Sequence, residues 1–429
     1  MTERTIDVNY LARVEGEGSL YVKLDGDQIT KLEFGIFEPP RFFEAFLRGR
    51  HFTEVPDITS RICGICQIGY QTSSINAMED ACGVTVSPEI EALRRLIYCG
   101  EWIESHALHL FLLHAPDFLG YESAIHMAKD LPEEVEMGLR LKKIGNAIVQ
   151  VVGGREIHPI NKRVGGFYRA PTRRELETLR PDLEWGLDAA LRTANLVTGF
   201  NFPDLERDYL FVAMRHPDEY PMARGRVVSS AGLDISAAEY DSHFHEEHVE
   251  RSNALHSVTG DGTPYHVGPM ARFNLNHEQL TPHAAAAATR AGLTAQVINP
   301  FRSIIVRAIE IILSFEESLR IIDEYRPPQP PAIDVPPRAG TGFGISEAPR
   351  GLLYHRYRID QAGIIEDAKI VPPTSQNQPT IEADLFDLIS ANLALSDEDL
   401  TWQCEQAIRN YDPCISCATH FLDLRIDRD

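Results

Sequence analysis

Two short cysteine motifs dominate this sequence: residues 61–66 read R-I-C-G-I-C, and residues 412–420 read D-P-C-I-S-C-A-T-H. Four of the seven cysteines therefore fall in two C-x-x-C pairs, Cys63 with Cys66 and Cys414 with Cys417. A C-x-x-C pair offers two thiolates that chelate one metal ion with little strain. We predict that two distant parts of the chain fold back on each other, so that four sulfurs meet at one metal site.

Two simpler interpretations of the cysteine pairs stay open at this point. A structural zinc ion with four cysteine ligands is a common use of such pairs, but zinc usually stabilises small units that lack a core. Here the pairs stand near opposite ends of 429 residues, in apolar surroundings, with Arg61, Asp412 and His420 close by in sequence. A redox dithiol is the other interpretation, yet neither pair follows a strand in a thioredoxin-like βαβ context.

Composition and charge argue against several other classes of protein. With 41 Lys and Arg against 63 Asp and Glu, the formal net charge is −22, which disfavours a nucleic-acid-binding surface. No apolar run approaches the roughly 18 residues of a membrane span, and the charged N-terminus lacks the apolar segment of a secretory signal. An odd number of cysteines does not suggest a disulfide framework, and we expect a cytoplasmic protein.

The pattern of apolar residues predicts a mainly α-helical fold with a small β section in residues 1–37 (an α+β fold). Alternation predicts strands at residues 6–14, 20–24 and 29–34, with a turn at 25–27. Three- and four-residue spacings, capping signals and prolines at helix starts predict helices at 132–152, 173–197, from 282, at 301–325 and from 396. The proline-rich residues 327–337 predict an extended crossing, and we expect one domain over residues 1–429.

Together with four further motifs, the cysteine motifs resemble the signature of nickel–iron hydrogenase large subunits. The further motifs are R-V-E-G at residues 13–16, S-H-x-x-H at 105–109, G-G-R-x-x-H-P at 153–159 and A-P-R-G at 348–351. Their order and wide spacing span most of the chain. The resemblance implies the large-subunit fold and a catalytic rather than a structural metal site.

The resemblance also implies a ligand set and a reaction. All four cysteines would bind nickel, and Cys66 and Cys417 would also bridge to an iron that carries cyanide and carbon monoxide. The reaction would be reversible heterolytic cleavage of molecular hydrogen, with Cys414 as the base and Glu15 passing the proton outward. Without the resemblance, Glu15 reads as an exposed turn carboxylate, and Glu17 competes with it for the proton-transfer role.

Other residues would surround the metals by the same resemblance. Arg350 matches the arginine above the open metal position, while Pro349 and Thr374 match positions that contact the diatomic ligands. Asp412 would join the hydrogen-bond shell around the ligands. Taken on their own, Arg350 is more typical of a surface loop and Asp412 of a turn before a proline.

A magnesium ion would bind at Glu44, the carbonyl of Ile370 and His420, although Glu44 alone reads as a carboxylate of an amphipathic helix. Residues 421–429 match a tail that a maturation endopeptidase removes after nickel insertion. His106, His109 and His158 belong to the shared motifs, and we expect a structural role for His158.

Electrons released from hydrogen have no acceptor among the recognisable motifs of this chain. The isolated Cys82, Cys99 and Cys404 do not make a four-thiolate iron–sulfur site, and the glycines of residues 340–344 are weak support for dinucleotide binding. The resemblance therefore implies a small subunit with iron–sulfur clusters, and diaphorase-type chains that bind flavin and NAD(P).

Two residues depart from the family pattern. Tyr70 stands where many members have histidine, and Ser105 stands where many have aspartate. These changes favour the cytoplasmic, bidirectional NAD(P)-linked or sulfhydrogenase type. A hydrogen-sensing regulatory subunit and a non-catalytic relative of the respiratory complex I type are alternatives, and the latter lacks the cysteines that are intact here.

Overall fold

Helices and strands are interspersed along residues 3–37, 41–293 and 296–419, which the computed structural model describes. The strands are β1 (Glu3–Val8), β2 (Gly18–Asp25), β3 (Gln28–Ile36), β4 (Lys162–Arg163), β5 (Gly166–Phe167), β6 (Val212–Arg215), β7 (Arg226–Ser229), β8 (Asp234–Ile235), β9 (Phe244–His248), β10 (Leu255–Thr259), β11 (Gly340–Ala348), β12 (Gly351–Ile359) and β13 (Ile365–Val371). The helices are α1 (Phe43–Leu47), α2 (Val55–Thr59), α3 (Gln67–Cys82), α4 (Pro88–Leu108), α5 (Ala115–Leu119), α6 (Ala124–Asp130), α7 (Pro132–Gly153), α8 (Arg173–Glu177), α9 (Arg180–Thr198), α10 (Tyr240–His243), α11 (Pro269–Asn276), α12 (Pro282–Arg290), α13 (Ser303–Glu324), α14 (Pro373–Ala391) and α15 (Asp397–Arg409). The predicted α+β class is confirmed.

The N-terminal sheet has the order β1-β2-β3 and is antiparallel. Alternate residues of β2 are buried, as the sequence pattern predicts, and the turn at Gly26 joins β2 to β3. The predicted first strand, 6–14, is wrong in its second half. Arg13 has a φ of 58°, a left-handed conformation that a strand does not contain, so the chain leaves the sheet after Val8.

Four long helices, α4, α7, α9 and α13, build the largest hydrophobic core. The predictions for residues 132–152 and 301–325 match α7 and α13 to within two residues at each end. The single helix predicted at 173–197 is in fact two, α8 and α9. Pro181 has no N–H with which to continue a helix, so it lies in the first turn of α9 instead.

Capping signals located several helix starts correctly. The side chain of Thr172 accepts a hydrogen bond from the Glu175 N–H at the start of α8, and the two residues form the predicted capping box. Helix α12 begins at Pro282, and Ser396 caps α15. Residues 327–337 contain neither a helix nor a named strand, in agreement with the predicted crossing. None of the described helices is both long and apolar enough to cross a membrane.

A second three-stranded sheet, β11-β12-β13, was missed by the sequence analysis and packs against α3. The contact is close because Gly342 and Gly344 face the helix. A Cβ added at these positions would lie 1.9 Å from the Ala77 carbonyl oxygen and 2.0 Å from that of Ser73. The glycines of residues 340–344 therefore serve helix–strand packing. Because α3 follows Cys66 and β11 ends just before Pro349, this packing fixes the two segments relative to each other.

Candidate active site

The two cysteine pairs meet, as the sequence predicted. All four sulfur atoms lie within 4.8 Å of one another and all four residues are buried. Cys63 Sγ is 3.4 Å from Cys414 Sγ, and Cys66 Sγ is 3.8 Å from Cys417 Sγ. Within the described residues this is the one group of three or more histidine, cysteine or acidic side chains close enough together to hold a metal ion.

Local backbone structure points each pair at the site. A 3-10 turn ends at Ile62, so that Cys63 is extended and Cys66 precedes the first residue of α3. The backbone N–H groups of Ile65 and Cys66 donate to Cys63 Sγ at 3.3 and 3.2 Å. Such N–H groups favour the thiolate form of the sulfur that they contact.

The second pair is held by two other parts of the chain. Cys414 pairs with Glu15 in an isolated parallel bridge, in which Ile415 N–H donates to the Glu15 carbonyl oxygen at 2.9 Å. The Cys414 N–H donates to Thr374 Oγ1 at 3.0 Å, at the start of α14. The Thr374 hydroxyl uses its oxygen as an acceptor here and so keeps its own proton available for a ligand.

The four thiols cannot ionise together without a cation. Burial raises the pKa values of Cys66, Cys414 and Cys417 well above that of an ordinary cysteine. Burial also opposes ionisation of Cys63, but hydrogen bonds from the other three thiols and the charge of Arg350 hold its pKa well below the usual value. One negative sulfur can thus be accommodated by the protein, and further thiolates require positive charge from a bound metal.

Glu15 lies directly beside this cluster. Its Oε2 accepts a hydrogen bond from Cys414 Sγ at 3.2 Å. Glu17, the competing candidate, accepts a hydrogen bond from the Tyr10 hydroxyl at 3.0 Å in exposed surroundings. The geometry therefore favours Glu15 as the carboxylate next to the sulfurs.

Arg350 and Asp412 form a buried pair at the same site. Arg350 Nε donates to the Asp412 carbonyl oxygen at 2.6 Å, and Nη2 donates to Asp412 Oδ1 at 3.0 Å. Burial opposes the charge of Arg350, but Asp412 and the sulfurs of Cys414, Cys66 and Cys63 raise its pKa well above the usual value. Burial raises the pKa of Asp412, against the influence of Arg350 and Arg307.

One nitrogen of this arginine is left over. Arg350 Nη1 is buried and has no hydrogen-bond partner among the described residues. A buried donor of this kind is costly unless something accepts from it. Four converging sulfurs, a free guanidinium donor and the Thr374 hydroxyl together fit a thiolate-bound metal centre that carries small hydrogen-bond-accepting ligands.

The expected magnesium ligands are only partly within the described residues. Glu44 Oε1 accepts from the Ile370 N–H at 2.7 Å, so these two residues do come together. Burial raises the pKa of Glu44 to about 7, while the Ile370 N–H and Lys369 oppose that increase. Glu246, which was not predicted from the sequence, lies in the same region, where burial first and then the nearby carboxylates of Glu44 and Asp241 raise its pKa to about 8. His420 and the tail 421–429 lie outside the described residues.

The two departures from the family pattern are both buried. The Tyr70 hydroxyl has no partner among the described residues, and its pKa is raised first by burial and then by the four cysteines. Ser105 Oγ also has no hydrogen-bond partner among the residues that the structure describes. His158 Nδ1 is 2.8 Å from the Ser60 carbonyl oxygen, a contact that is consistent with the structural role expected for His158.

Comparisons with known proteins identify the family. A family profile described as nickel-dependent hydrogenase matches residues 41–138 and 257–420, more than half of the chain. The chain belongs to the nickel-dependent hydrogenase family. The sulfhydrogenase 1 subunit alpha of Pyrococcus furiosus is 32% identical, over 98% of this chain and 98% of that protein. The subunit beta of the NAD-reducing hydrogenase HoxS of Cupriavidus necator is 26% identical, over 98% and 95%.

Solved structures agree with this assignment. An NAD⁺-reducing [NiFe]-hydrogenase in the H₂-reduced state superposes on this hydrogenase with a TM-score of 0.87 and 26% identity, over 97% of this chain and 99% of that one. The family, the fold and the enzyme class predicted from the sequence are therefore confirmed.

The residues that support the Arg350 loop (residues 348–350) from behind were not predicted from the sequence. Arg272, Glu310 and Glu347 form a fully buried ion-pair cluster behind that loop. Glu347 directly precedes the A-P-R-G motif, and Arg272 and Glu310 lie outside the six shared motifs. The only available signal was the position of charged residues inside otherwise apolar helices, Glu310 in α13 above all.

Proposed function

We propose that this hydrogenase cleaves and forms molecular hydrogen heterolytically at a nickel–iron centre held by Cys63, Cys66, Cys414 and Cys417. The observation that carries the proposal is the convergence of four buried sulfurs within 4.8 Å, with Glu15 Oε2 only 3.2 Å from Cys414 Sγ. When bound, the centre supplies two adjacent metal ions that activate hydrogen and accept its electrons. All four cysteines would hold nickel, and Cys66 and Cys417 would be shared with iron.

The protein's own part in the reaction begins with a proton at Cys414. Its sulfur and the Glu15 carboxylate are joined by one hydrogen bond of 3.2 Å. A general base accepts a proton over a distance of this kind. Glu15 would carry the proton away from the sulfur and return it in the reverse reaction. The parallel bridge between the two residues keeps sulfur and carboxylate aligned during this transfer.

Arg350 would orient small ligands at the centre. Its Nη1 is the one donor of the side chain that lacks a partner within the described chain, and the pair with Asp412 restricts the rest of the guanidinium. This donor and the hydroxyl of Thr374 would bind cyanide on the iron, with Pro349 packed against the diatomic ligands. Glu44, Ile370 and His420 would hold a magnesium ion.

Electrons would leave through a partner chain. The described cysteines outside the cluster, Cys82, Cys99 and Cys404, take no part in any potential metal site that the described residues form. Both relatives described above are named as subunits, and one of them is named as NAD-reducing. We therefore propose that a small subunit with iron–sulfur clusters receives the electrons and that diaphorase-type chains pass them to NAD(P). This electron path implies a cytoplasmic enzyme. Removal of residues 421–429 by a maturation endopeptidase is part of the same proposal.

Metal analysis of the purified complex tests the proposal. The wild-type complex should contain nickel and iron in equal amounts and should oxidise hydrogen with a redox dye. Cys414→Ser should lose nickel and this activity, whereas Cys404→Ser, at a buried cysteine outside the site, should keep both. A complex that contains zinc alone would contradict the proposal, and metal incorporation without turnover would favour a sensing role.

A further inference from the structure

Arg272, on α11, uses every N–H of its guanidinium group. Nε and Nη2 donate to the two carboxylate oxygens of Glu310, each at 2.8 Å, and Nη1 donates to Glu347 Oε2 at 3.0 Å. The same group reaches two backbone oxygens: Nη1 donates to the Ala348 carbonyl at 2.9 Å and Nη2 to the Pro349 carbonyl at 3.0 Å. The five donors of an arginine side chain are thereby engaged.

The surroundings hold this guanidinium rigidly. Arg272, Glu310 and Glu347 are completely buried, and the guanidinium lies 4.4 Å from the ring centroid of Trp102. Glu310 also accepts a hydrogen bond from the Tyr220 hydroxyl at 2.9 Å. The ion pair with Arg272 holds the pKa of Glu310 at about 2 despite burial, so its charge is present at neutral pH. A fully bonded, buried group of this kind has a single geometry.

The two carbonyl groups to which Arg272 donates hydrogen bonds belong to the residues immediately before Arg350. On its other side, the loop is confined by Gly268, where an added Cβ would lie 2.8 Å from the Arg350 carbonyl oxygen. The backbone of residues 348–350 is therefore fixed by hydrogen bonds from Arg272 and by close backbone packing against Gly268. The Arg350 side chain leaves this backbone to pair with Asp412 beside the sulfurs.

We propose that Arg272 is a positioning residue for the hydrogen-cleaving site: anchored by Glu310, it fixes the Ala348 and Pro349 carbonyls and so holds Arg350 over the metal-binding cysteines. The inference rests on the proposed function, because Arg350 matters there as a ligand-orienting donor. Lysine cannot replace this arginine. It has one nitrogen in place of a planar fork, and it cannot bond two carboxylates and two carbonyls at once.

Arg272→Lys tests the proposal, with Arg94→Lys as a matched control. Arg94 is equally buried and makes a bidentate pair with Glu79 at 2.6 and 3.0 Å, but it contacts no residue of the Arg350 loop in the described structure. The main readout is the infrared stretching frequencies of the diatomic ligands on iron, which report the hydrogen bonds that those ligands receive. The second readout is dye-linked hydrogen oxidation by the purified complex.

Arg272→Lys should shift the infrared bands in the same direction as Arg350→Lys and lower turnover by about 100-fold, a typical loss when a catalytic group is misplaced by an ångström. Arg94→Lys should leave the bands unchanged. Unchanged bands in Arg272→Lys, or an equal shift in Arg94→Lys, would overturn the proposal.

If Arg272→Lys does not fold, Glu347→Gln is the second variant, since it weakens one acceptor of Arg272 without changing its shape. It should shift the same bands by a smaller amount, and unchanged bands would again overturn the proposal. A wild-type complex that contains no nickel and shows none of these infrared bands would instead refute the proposed function itself.

Discussion

Replacing Glu15 with glutamine separates proton transfer from metal binding. Glutamine keeps the size and shape of the side chain and can still accept a hydrogen bond from Cys414 Sγ, which lies 3.2 Å from Glu15 Oε2, but its amide cannot take up the proton that the carboxylate would accept in the proposed reaction. A positioned general base usually contributes 10²–10⁴-fold, which corresponds to about 3–5 kcal/mol of activation free energy. We expect Glu15→Gln to lower hydrogen oxidation and production by that factor. Because Glu15 is only partly buried and is not a metal ligand in the proposal, nickel content should not change.

The assay is dye-linked turnover in both directions on the purified complex, with nickel and iron measured on the same samples. Glu17→Gln is the matched control, because Glu17 is two residues away and bonds Tyr10 in exposed surroundings. Its turnover should stay within about threefold of wild type, a change of less than about 0.7 kcal/mol in activation free energy, because this hydrogen bond lies outside the cysteine cluster. Wild-type turnover in Glu15→Gln, or an equal loss of turnover in Glu17→Gln, would refute the proton-transfer role of Glu15.

Two further predictions concern the fold that holds the site. Gly344→Ala should lower the free energy of unfolding, measured in denaturant, by about 3 kcal/mol or more, because the added Cβ would lie 2.0 Å from the Ser73 carbonyl oxygen. Gly260→Ala is the control: the nearest atom to its added Cβ would be 3.7 Å away, and the free energy of unfolding should change by less than about 1 kcal/mol. Burial raises the pKa of Asp384 to about 7, so the folded state binds this proton more tightly than the unfolded state, and stability from Asp384 should fall as pH rises from about 4 to about 7. Asp384→Asn should remove up to about 4 kcal/mol of that pH dependence. Asp387→Asn removes only the smallest of the effects on the pKa of Asp384 and should keep most of the slope, and equal slopes in all three proteins would contradict the assignment.

Local patterns in the sequence predicted those features that depend on neighbouring residues. Helices α7 and α13 follow from apolar spacing, and the starts of α8, α12 and α15 follow from caps and prolines. The metal cluster was predictable because two C-x-x-C pairs are rare and have few uses. The break between α8 and α9 was not predicted, although Pro181 stands where a continuous helix would need an N–H.

Long-range packing was not predictable in the same way. The residues of β11 are rich in glycine and polar side chains, and they form a buried strand only because α3 packs closely against Gly342 and Gly344. The role of Arg272 depends on four acceptors that lie 38 to 77 residues away in sequence. No spacing rule connects such residues, so the support behind Arg350 became visible only in three dimensions.

X-ray absorption at the nickel edge of the purified complex tests the central claim most directly. Four-cysteine ligation predicts a first shell made of sulfur, and loss of one sulfur scatterer or of the nickel itself in Cys63→Ser. Nickel surrounded by nitrogen and oxygen, or an unchanged sulfur shell in Cys63→Ser, would contradict the account.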